Sequence, residues 1–92
     1  MLYECHITVA VDDSDKASTV AKELHWKTSE IARDPVLGNA TYFYLTSHSD
    51  DYQKMWDRMS AASASLKAAG VIVIREKIEH IVYDTKVKVS KE

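Results

Sequence analysis

His6 and Thr8 stand two residues apart in the run Glu4-Cys5-His6-Ile7-Thr8-Val9, where polar and apolar residues alternate. On an extended strand, residues at i and i+2 project from one face, so both side chains reach the same small ligand. An imidazole so placed works as acid or base, and the neighbouring hydroxyl donates a hydrogen bond, a pairing suited to a phosphate or carboxylate. Other groups recur at the same two-residue spacing: Tyr42, Tyr44, Thr46 and His48 in one segment, Arg75, Lys77 and Glu79 in another. Guanidinium, ammonium and hydroxyl groups bind anions, and carboxylates beside an imidazole tune its proton. Cys5 has the opposite parity to His6 and reads as a small buried hydrophobe, not a nucleophile.

Elements must bring these segments together. Tyr3 to Val11 alternates as a strand with one buried face. Asp12, Asp13, Ser14 and Asp15 offer N-caps to a helix that carries Ala17, Val20, Ala21 and Leu24 on one side and ends near His25. Trp26 to Ile31 is rich in strand formers, and Pro35 and Gly38 mark a wide turn over residues 33 to 39. Ala40 to His48 reads as a strand. Ser49 or Asp50 then caps a second helix, with Asp50 and Gln53 shaped as a capping box. Tyr52, Met55, Trp56, Met59, Ala62, Leu66 and Ala69 give that helix its core stripe, and Gly70 ends it. Val71 to Tyr83 follows as a last strand.

Strand, helix, strand, strand, helix, strand predicts an α+β fold, a ferredoxin-like βαββαβ sandwich with two helices on one face of a four-stranded antiparallel sheet. One domain spans residues 1 to 84, with a polar tail over 85 to 92. The alternative keeps residues 14 to 33 as a single helix over three strands. In the preferred arrangement the first strand is central, and the other sheet face is open. Glu4, His6, Thr8, Tyr42, Tyr44, Thr46 and His48 should stand there. With Ile72 and Ile74 turned inward, Arg75, Lys77 and Glu79 join them, and Trp26, Thr28 and Glu30 line the edge. Opposed residues on adjacent strands lie about 4.5–5.5 Å apart at Cβ, so His6 should touch Tyr44 or Thr46 and Arg75 or Lys77. An open antiparallel face is also polar by default, with charges paired across strands and no ligand required.

Composition excludes several function classes. Twelve basic against fourteen acidic residues give a net charge of −2, so no long-range positive field draws the chain to nucleic acid or an anionic membrane. Tyr42, Tyr44 and His6 lie where RNA-recognition domains stack bases, but the glycines and basic residues of that signature are missing. A Gly-rich phosphate loop is absent, which sets aside P-loop and dinucleotide chemistry. One cysteine, no secretory leader pattern and no run of about 20 apolar residues predict a cytoplasmic protein. His6, His48, Glu4 and Glu79 are metal-type donors, yet the two histidines lie far apart along their strands, so no metal or other cofactor is expected.

His6-Ile7-Thr8-Val9 resembles the His-x-Thr-x motif of one half of the two-histidine phosphoesterases. That resemblance implies His6 and Thr8 as catalytic residues, with a second motif supplied by another half. His48 and His80 lack the hydroxyl two residues on, so only a second copy of the chain would supply it. More broadly, Glu4 to Val9, Trp26, Ser29, Asp34-Pro35, Leu37-Gly38 and Tyr44-Leu45-Thr46 with His48 resemble small bacterial and phage ferredoxin-like proteins of unassigned function. This implies one compact domain and no particular chemistry.

Three readings follow. The first is a homodimeric domain whose open face binds a small anionic ligand or a protein partner. Its dimer rests on the last strand: thirteen residues would reach about 43 Å and overhang the first strand, inviting edge pairing. The second is a small hydrolase using His6 as general acid or base, and the third an interaction module whose open face a protein partner covers.

Overall fold

The computed structural model describes residues 1–31 and 41–82. The turn expected over 33 to 39, Tyr83 and the tail over 85 to 92 lie outside the described residues. The elements are β1 (Leu2–Ala10), α1 (Ser14–Leu24), β2 (Lys27–Ile31), β3 (Tyr42–Ser49), α2 (Tyr52–Ala68) and β4 (Val73–Ile81). The strands form one antiparallel sheet in the order β2-β3-β1-β4. This is the ferredoxin-like α+β sandwich, and β2 removes the single-helix alternative for residues 14 to 33.

The core lies between the sheet and both helices. Cys5, Ile7 and Val9 are fully buried on β1 and meet Ala17, Val20 and Ala21 of α1 and Met55, Met59, Ala62 and Leu66 of α2. Odd-numbered side chains of β1 therefore face the helices, and even-numbered ones face away.

Several local expectations are corrected. The α2 cap is Asp51, whose Oδ1 accepts from Lys54 N–H at 2.9 Å, while Gln53 bonds Asp57 instead of closing a box. A single 3-10 turn, Val11–Asp13, leads into α1, and the Asp13 side chain caps nothing. Tyr52 and Trp56 stand out from the helix stripe as exposed residues, because the buried arc of α2 is narrower than the sequence stripe. Strand β4 has nine residues and pairs with β1 from Ile81 opposite Leu2 to Val73 opposite Val9, so the described residues show no overhang of β4 past β1.

Two turns decide which side chains reach the open face. Past α1, His25 adopts a left-handed φ of 62°, and Trp26 N–H bonds Ala21 O at 2.8 Å. This six-to-one closure sends the next residue back against the helix, and Trp26 is buried in the core. Trp26, Thr28 and Glu30 consequently do not line the open face: Thr28 pairs with core-facing Leu45 and Glu30 with Phe43, while Lys27 and Ser29 pair with Thr46 and Tyr44. Gly70, at φ 85°, closes α2 the same way, with Val71 N–H on Leu66 O at 2.9 Å.

The second turn is a bulge in β4. Thr8 pairs with Arg75 but Val9 pairs with Val73, leaving Ile74 as the extra residue. Ile74 and Ile72 are exposed instead of inward, while Val73 packs on the core. The bulge resets the alternation, so that Arg75, Lys77 and Glu79 face away from the helices.

Candidate functional site

Strand register assembles the open face from three strands. Across β1 and β3, Glu4 opposes His48, His6 opposes Thr46 and Thr8 opposes Tyr44. Across β1 and β4, Glu4 opposes Glu79, His6 opposes Lys77 and Thr8 opposes Arg75. Three rows of side chains result, with β1 in the middle.

The row pattern divides the face chemically. At one end Thr8, Ser29, Tyr44, Thr46, Arg75 and Lys77, with the ring of His6, line a pocket of about 210 Å³. Its floor is tight, since Thr8 is 2% and Tyr44 7% exposed. Hydroxyls come from β1, β2 and β3, and both cations come from β4. Lys77 Nζ lies 3.6 Å from Glu79 Oε1, whereas Arg75 has no carboxylate partner among the described residues.

At the other end the carboxylates gather. His6 Nε2 lies 3.3 Å from Glu4 Oε2 and 3.1 Å from Glu79 Oε1. Its Nδ1 is 3.0 Å from Thr46 Oγ1, so both ring nitrogens are engaged. His48 Nε2 holds the other Glu4 oxygen at 3.0 Å. The spacing of His6 and His48 along their strands is therefore spanned by one carboxylate. Among the described residues Glu4, His6 and Glu79 bring one donor atom each to within 4.8 Å of one another.

Not every expected residue joins. Tyr42 pairs with Ala10 beyond the pocket and does not line it, and Trp26 and Tyr44 are buried. Ser29, which pairs with Tyr44, takes the pocket position on β2 because Trp26 is anchored inward. Cys5 lies under the helices, where burial, helped by the Glu76 carboxylate, pushes its thiol up from 9.0 to about 12.

No family model matches the chain, and no curated protein matches it. Solved structures do share its architecture. A functionally unknown protein from Pediococcus pentosaceus aligns with a TM-score of 0.55 at 8% identity, over 90% of this chain and 94% of that one. A putative antibiotic biosynthesis monooxygenase from Chloroflexus aurantiacus aligns with a TM-score of 0.57 at 10% identity, over 91% of this chain and 96% of that one. At such identities the likeness is one of fold. It agrees with the resemblance to ferredoxin-like proteins of unassigned function.

Proposed function

We propose that this domain binds a small oxyanion, a carboxylate or phosphate group, on its open sheet face. The observation that carries this reading is Arg75, a guanidinium without a carboxylate partner among the described residues, at a pocket whose other walls are hydroxyl-bearing side chains, Lys77 and the His6 ring. A guanidinium takes two oxygens of one anion at once, and Ser29 and Thr8 supply donors for the remainder. The pocket volume of about 210 Å³ suits a group of a few heavy atoms.

Calorimetric titration with inorganic phosphate and with a small dicarboxylate tests it. Saturable binding that Arg75→Gln weakens by about tenfold, equivalent to about 1.4 kcal/mol, supports the reading. Binding that is absent, or indifferent to Arg75→Gln and Lys77→Gln together, refutes it. The reading includes a homodimer paired at the outer edge of β4, which has no strand neighbour among the described residues. Light scattering that gives a single chain at micromolar concentration removes that part.

A second reading, a small hydrolase, is favoured by the presence of His6 and Thr8 in the same pocket. There His6 would exchange a proton with the bound group while Thr8 holds it. Turnover of a phosphoester that survives His6→Ala would end this reading.

A further inference from the structure

Two carboxylates, Glu4 and Glu79, stand directly opposite each other on β1 and β4. Like charges so placed are destabilising, and the sheet holds them there with an imidazole between them. His6 Nε2 carries at most one hydrogen, yet it faces Glu4 Oε2 at 3.3 Å and Glu79 Oε1 at 3.1 Å. One proton cannot make two straight bonds to both oxygens. Among the described residues Lys77, at 3.6 Å from Glu79 Oε1, and His48, on the far oxygen of Glu4, are the other basic groups in contact with this pair.

His6 Nε2 stands from each carboxylate oxygen at the separation of neighbouring donors in a coordination sphere, and one donor atom from each of the three residues lies within 4.8 Å of the others. Tetrahedral bonds of about 2.0–2.1 Å place neighbouring donors about 3.3 Å apart, close to the two separations seen here. The supporting contacts fit as well. Thr46 Oγ1 sits on His6 Nδ1, which fixes the ring with Nε2 toward the carboxylates, and His48 holds Glu4 Oε1. Metal-bound histidines are oriented in this way through their second nitrogen. Because the donors sit on adjacent paired strands, little ordering remains to be done on binding.

We infer that Glu4 Oε2, His6 Nε2 and Glu79 Oε1 form a site for a divalent transition cation of the zinc type, with a fourth position left for water or for an anion in the adjoining pocket. Nitrogen with carboxylate oxygen is a donor set such cations accept. The site shares only the His6 ring with the anion pocket and does not depend on the anion reading.

The test uses the full chain, stripped with a chelator and titrated with zinc chloride in phosphate-free buffer. Expected is one Zn²⁺ per chain at a dissociation constant of about 10 μM or tighter. Glu4→Gln, His6→Ala and Glu79→Gln should each weaken it by at least about tenfold, and Thr46→Val, which leaves all three donors in place, by about tenfold. Cobalt in place of zinc should give visible ligand-field absorption that the same variants abolish. His80→Ala, at an exposed histidine outside the cluster, should leave binding unchanged. If His6→Ala fails to fold, Glu79→Gln at the half-exposed edge strand decides the matter by itself. No saturable binding up to about 1 mM zinc, binding that survives Glu79→Gln, or binding lost in His80→Ala overturns the site. Anion titration of Arg75→Gln is read separately, so either result can fail without the other.

Discussion

If even-numbered residues of β1 face the open side, Cys5 must be sealed beneath the helices, and its chemistry reports on that parity. The perturbation is a thiol reagent added to the folded chain at about pH 8. Raising the thiol from 9.0 to about 12 cuts the reactive thiolate about a thousandfold there, before any steric protection is counted. Cys5 is fully buried, so the reagent also needs an opening of the sandwich to reach it. Labelling followed by absorbance should therefore be at least about a thousandfold slower in buffer than in denaturant, with a rate that tracks unfolding. Stability carries the same signature. Between pH 9.0 and about 12 the unfolded chain gives up the thiol proton while the folded chain keeps it, so the folded state binds more protons. Its stability is complete below pH 9.0 and falls by up to about 1.4 kcal/mol per pH unit above it. Labelling in buffer as fast as in denaturant would refute the strand parity and, with it, the open-face site.

Two further outcomes concern the end of α1. Replacing His25 by Gly at φ 62° relieves a left-handed strain that exceeds the entropy cost of glycine, and should stabilise the chain by about 0.5–1 kcal/mol. A thermal melt should rise by about 3–6 °C, and an unchanged or lower midpoint contradicts the turn geometry. Trp26→Ala should cost about 3–5 kcal/mol in urea unfolding, whereas Trp56→Ala, at a side chain 43% exposed, should cost about 1 kcal/mol.

The fold was legible because its signals are local and agree with one another. Alternation in β1, helical spacing in α1 and α2, and Gly70 at the helix end each point to one arrangement. Register followed from topology once β1 was placed centrally, and it brings His6 opposite Thr46 and Lys77. What escaped was phase wherever the backbone departs from regular geometry. A left-handed His25 carries no glycine to announce it, so the parity of β2 was read one residue out. The bulge at Ile74 looks in sequence like continued apolar alternation, and only pairing with β1 exposes the extra residue. The cluster of Glu4, His6 and Glu79 was partly hidden for another reason: side-chain length closes gaps that Cα spacing leaves open.

The bulge has a consequence for how this chain tolerates change. It acts as a coupling between two stretches of β4 that answer to different masters: Val73 follows the packing after α2, and Arg75 onward follows β1. A lengthened or shortened connection after Gly70 can be taken up at Ile74, and the row of charged side chains keeps its outward aim. Strip out that slack, and any such length change would rotate guanidinium, ammonium and carboxylate into the oily interior.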